Sequence, residues 1–134
     1  MDFDHRRVAL AIARGRAVSG LVMLLIPGLA GWILFGRAGR EPTARALLRF
    51  VGVRDLVLGV GAITTIKEHT MDAEWVGMGA VADAVDGVVS IVTPGLKPQA
   101  RLVSLIGGGA AAAGLLASRA LADERAKPSS EIDS

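Results

Sequence analysis

The run from Trp75 to Pro94 is apolar along its whole length except for Asp83 and Asp86 near its middle. A bilayer-crossing helix takes about 17–25 residues, and this run is long enough. An ionisable side chain at the centre of a bilayer costs roughly 2.5–3.5 kcal/mol on insertion scales, so residues of this kind are paired or functional. The two aspartates therefore mark a site, though not a reaction.

Three further runs share this character. Residues 17–36 and 102–118 carry no charge, and residues 46–66 carry only Arg49, Arg54 and Asp55. Four spans of bilayer length use up most of a 134-residue chain and leave no room for a soluble catalytic module. The expected fold is therefore all-α, a four-helix transmembrane bundle over residues 1–122 followed by a disordered polar tail over 123–134. At 51% hydrophobic residues and a mean hydropathy of +0.48, the chain lies outside the usual soluble range.

The breakers fit this division. Pro27-Gly28 ends or kinks the first helix, and Gly31 to Phe35 reads as an interfacial segment with Trp32 and Phe35 at headgroup depth. Pro42 and Pro98 suit the first turns of the second and fourth helices, and Lys67 to Asp72 reads as a short polar turn. Arg14 and Arg16 before an apolar core, with Gly28-Leu29-Ala30 after it, have the outline of a cleaved signal peptide. The long preceding region, with Asp2 and Asp4, argues against cleavage, and residues 1–30 are kept in the mature protein.

Residues 17–28 and 84–95 match at six of twelve positions, including the closing Pro-Gly. Two readings stand: the shared composition of apolar helices, or a duplication giving two repeated helical hairpins about an axis along the membrane normal. In this alignment Arg16 corresponds to Asp83, so the duplication places opposite charges face to face near the axis.

The charges within the runs are the candidate site: Arg16, Arg54, Asp55, Asp83 and Asp86. Asp83 and Asp86 share a helix face. Arg54 and Asp55 point about 100° apart and are expected to satisfy each other poorly, which leaves Arg54 and Arg16 as cross-helix partners for the two aspartates. A buried salt-bridge cluster that fixes helix register is one reading. A polar substrate site or proton relay is the other, while Arg14 and Arg49 are placed to snorkel. The run Gly107 to Gly114 offers small-x-x-x-small spacings for close helix packing, within one bundle or between copies.

Much is excluded. There is no cysteine, so thiol chemistry and Cys-ligated metals fall away. No basic stripe interleaved with aromatics points to nucleic acid. Asp83 and Asp86 lack the second acidic motif of a magnesium–diphosphate site. Gly77 to Ala82 matches a dinucleotide fingerprint but lies inside a spanning helix, where the fingerprint has no meaning. No catalytic residue, cofactor or metal is expected.

The first helix with its terminal Pro-Gly, then Phe35-Gly-Arg37, Gly52-Val-Arg54-Asp55 to Gly59, and Ala82-Asp83-Ala-Val-Asp86 together resemble an uncharacterised family of small bacterial and fungal four-helix membrane proteins, defined only as a domain of unknown function. The outline is also similar to the DoxX-like group. The resemblance covers residues 8–120 and implies a membrane location and a four-helix bundle, with no activity to carry over.

The expected function is a non-enzymatic accessory or partner-binding subunit of the cell inner membrane. Its partners are the bilayer and a membrane protein or second copy of itself. The alternatives are a small transporter-like or ligand-binding protein using the buried charges and, more weakly, a membrane enzyme acting on a lipid or quinone. With an inside N-terminus the cytoplasmic ends carry six cations (Arg6, Arg7, Lys67, Arg119, Arg125 and Lys127) against five (Arg37, Arg40, Arg45, Lys97 and Arg101), which leans toward cytoplasmic termini.

Overall fold

The computed structural model describes residues 5–126. Among them every regular element is helical: α1 (His5–Leu25), α2 (Pro27–Phe35), a 3₁₀ turn (Gly36–Arg40), α3 (Pro42–Glu68), α4 (Asp72–Val92) and α5 (Pro98–Ala126). Proline opens α2, α3 and α5, where its missing N–H removes nothing from the helical ladder. At the α3–α4 junction the chain reverses through His69 and Met71, both left-handed at φ 56° and 46°. The His69 amide donates back to the Thr65 carbonyl and closes the end of α3.

Three of the described helices, α1, α4 and α5, are long and apolar enough to cross a membrane. At 21 residues each, α1 and α4 are about 31 Å long, the thickness of a bilayer core. The expectation of four spans is met by three on this criterion. α3 has the length, but Arg49, Arg54, Asp55 and Lys67 interrupt its apolarity. The segment expected to lie at the interface is a helix of its own, α2, set off from α1 by Ile26 at φ −127°, ψ 55°.

α1 packs along α3 and α4 along α5, which gives two antiparallel hairpins. The first contact is a backbone approach. A Cβ on Gly20 would lie 2.5 Å from the Leu56 amide nitrogen, and one on Gly59 would lie 2.6 Å from that of Ala17. Only glycine permits this spacing, and in lipid such packing supplies much of the association energy. The run Gly107 to Gly109, expected to pack, meets nothing within 4 Å of a built Cβ, whereas Gly114 lies against Ala80.

The core joins the two hairpins. Ala9, Ala13, Ala62, Ile66, Ala73, Val76, Ala117 and Leu121 form one buried cluster where the start of α1, the end of α3, the start of α4 and the end of α5 converge. Beyond Ala80, α4 has no buried residue, and Val85, Val88, Val89, Ile91 and Val92 are exposed. Part of the stretch expected to be a disordered tail is helical. Residues 123–126 continue α5, and Arg125 is held there by Asp72 and Glu74. Residues 127–134 lie outside the described residues.

Candidate functional site

All five candidate charges form one hydrogen-bonded set in the structure. Arg16 of α1 is almost buried, with 9% of its surface exposed. Its Nη1 donates to Asp55 Oδ1 of α3 at 3.3 Å, and its Nη2 donates to the Gly79 carbonyl of α4 at 2.8 Å and to Asp83 Oδ2. Gly79 is there for room as well as for its carbonyl: a Cβ on it would lie 3.3 Å from Arg16 Nε.

A second layer lies beside the first. Arg54 of α3 grips Asp86 of α4 bidentately, with Nη1 to Oδ1 at 3.0 Å and Nη2 to Oδ2. The same guanidinium donates to Asp55 Oδ1, from Nη2 at 3.0 Å and from Nε at 3.2 Å. Asp55 therefore bridges the two arginines. The expectation that Arg54 and Asp55 would satisfy each other poorly is corrected by this contact. The 100° rule describes the directions of Cβ atoms, and an arginine side chain is long enough to fold its head back over the helix surface. The layers differ in access. The side chains of Arg54 and Asp86 are 36% and 48% exposed, against 7% for Arg16 and 17% for Asp83.

Beside Arg16 and Asp83 lies a cavity of about 20 Å³, walled by Ala13, Trp75, Gly79 and Gly114. That is space for about one water and for no substrate. Among the described residues no fully buried side-chain nitrogen or oxygen lacks a partner, and no cluster of three or more metal-ligating side chains occurs.

A second ionic cluster went unnoticed in the sequence. Asp72, read there as part of a polar turn, is the first residue of α4 and only 2% exposed. It pairs with Arg125 of α5 and with Arg6 of α1 at 3.4 Å. Arg6 in turn donates to the Ile66 carbonyl of α3 at 2.9 Å, so Asp72 and its partners tie together four helix ends. Its acidity at a helix start was a visible signal, but partners 66 residues before it and 53 after it have no local signature.

No protein-family model, curated protein or solved structure matches this chain.

Proposed function

We propose that the chain is a multi-pass integral membrane protein whose long helices, α3 included, form a four-helix transmembrane bundle. Its role on this reading is that of a non-enzymatic accessory or partner-binding subunit. α3 is included on this reading because Arg54 and Asp55, near its middle, are matched by Asp86 and Arg16 on neighbouring helices. The exposed valines and leucines of α4 and α5 suit a lipid or protein partner. We assign the bundle to the inner membrane of a bacterial cell with both termini cytoplasmic, and extend to it the likeness to the uncharacterised four-helix family.

The observation that carries this reading is the closure of the Arg16 layer. Its guanidinium has three acceptors, on α3 and α4, and the adjoining cavity admits little more than a water. A group held in that way suits a role in fixing helix register, the best-attested use of buried polar groups. Native mass spectrometry of protein extracted gently from its own membrane tests the role. A stoichiometric protein partner is expected, and a monomer that holds only a small molecule removed by Asp83→Asn overturns the reading.

A second reading rests on the other layer. Two arginines and three aspartates leave the connected set with one formal negative charge in excess, and Asp86 is the half-exposed member. A site coupled to a proton or cation has that character. On this reading Asp86→Asn folds normally and loses a cation- or proton-dependent flux in vesicles. Unchanged flux removes it.

A further inference from the structure

The two ends of the molecule handle charge in opposite ways. At the Asp72 end, arginines and carboxylates are tied together. At the other end Arg37, Arg40, Arg45, Lys97 and Arg101 face a single acid, Glu41, and among the described residues none of these five cations is held in an ion pair. Arg40 stacks on the Trp32 ring at 5.5 Å, an arrangement suited to headgroup depth.

At this same end α4 and α5 stand apart. A cleft of about 370 Å³ separates them, lined by Gly87 and Ser90 of α4 and by Arg101, Ser104, Leu105 and Gly108 of α5. Neither Gly87 nor Gly108 has anything within 4 Å of a built Cβ, so the gap lies where two glycines leave both helix surfaces bare. The volume falls within the range of small-molecule sites, about 300–1,000 Å³. Its walls are chiefly apolar, and its one charge is cationic. The Ser104 hydroxyl already donates to the Ala100 carbonyl at 2.9 Å, which leaves Ser90 as the hydroxyl donor facing the cleft.

We propose that the α4–α5 cleft seats one anionic phospholipid, with its phosphate against Arg101, its ester carbonyl within reach of Ser90, and an acyl chain along Gly87, Leu105 and Gly108. The inference rests on the reading of the chain as a membrane protein. Charge complementarity selects the occupant. An unpaired guanidinium at the basic end of an otherwise apolar groove matches a molecule with an anionic head and an apolar tail. A free anion has no use for the apolar walls, and a zwitterionic lipid carries a cation of its own toward Arg101.

The test uses the full chain, washed in alkaline carbonate while still in membranes and then purified in mild detergent. Native mass spectrometry counts phosphatidylglycerol and phosphatidylcholine retained from an equimolar mixture. One phosphatidylglycerol is expected, favoured by at least about fivefold, the contribution of one Lys or Arg against an anionic surface. Arg101→Gln is expected to abolish that preference. Gly108→Leu, which fills the groove where a Cβ meets nothing, is expected to remove the bound lipid without lowering thermal stability. Arg119→Gln, exposed at the far end, is expected to change neither. Equal retention of the two lipids, or retention indifferent to both cleft variants, overturns the lipid site and leaves the membrane reading standing. Recovery of the protein in the carbonate supernatant overturns both.

Discussion

Arg16 on α1 and Asp83 on α4 belong to different helical hairpins and are joined by a largely buried ion pair with a buried Gly79 carbonyl bond alongside it. Removing the arginine leaves Asp55 and Asp83 facing each other without their shared cation. Arg16→Met is therefore expected to cost about 3–5 kcal/mol, the range for breaking a buried pair. Asp83→Asn keeps the shape and leaves Arg16 its bond to Asp55, so about 1–3 kcal/mol is expected. Reversible unfolding in mixed micelles measures both. Equal stability of Arg16→Met and the parent would show that the layer does not hold the bundle together.

That Arg16 and Arg54 are the cross-helix partners of Asp83 and Asp86 was legible in the sequence, because these are the charges left inside apolar runs; which arginine takes which aspartate was not. The helix boundaries were legible where proline wrote them, at Pro27, Pro42 and Pro98. What was not legible depends on distance in the chain or on reach. Asp72 reads as a turn residue until α5 brings Arg125 against it. Arg54 reads as badly placed for Asp55 until its side-chain length is taken into account. The glycines followed the same logic. Gly107 to Gly109 are the densest cluster in the sequence yet face open space, while isolated Gly20, Gly52 and Gly59 carry the close contact. Density of small residues does not say which face meets a neighbour.

This contrast yields a paired prediction. At Gly20 a Cβ would meet the Leu56 amide nitrogen and the Gly52 carbonyl, both backbone atoms that cannot rotate away. Gly20→Ala is therefore expected to push α1 off α3 and cost about 1–3 kcal/mol. Gly108→Ala meets nothing and gains helix propensity, for about 1 kcal/mol of stabilisation at most. Thermal unfolding of the two variants in one detergent should move in opposite directions. A shift of the same sign in both would contradict the close α1–α3 approach.

The Asp72 cluster is expected to behave as a unit. Asp72→Ala leaves Arg6 and Arg125 without their buried acceptor and should cost about 1–3 kcal/mol. Glu74 pairs with Arg125 at the surface, so Glu74→Gln should stay within about 0.5 kcal/mol of the parent. Arg6→Gln and Arg125→Gln share Asp72 as partner, and a double-mutant cycle on them should show non-additivity. Strict additivity of the two arginine changes would mean that Asp72 does not couple the helix ends.

Trp75 offers an optical readout of how the hairpins meet. Its ring lies on Gly61 of α3 with no room for a Cβ beneath it, and it packs against the buried cluster. Gly61→Ala must displace the indole, and the displaced ring moves toward the surface. In a Trp32→Phe background, which leaves Trp75 as the sole tryptophan of the chain, the emission is expected to shift to longer wavelength in Gly61→Ala and to become more accessible to a water-soluble quencher. Gly107→Ala, which touches no aromatic ring, serves as the control and should leave the spectrum unchanged. An unaltered Gly61→Ala spectrum would mean that Trp75 does not sit on α3 in solution, and the contact between α3 and α4 that positions Arg54 against Asp86 would lose its support.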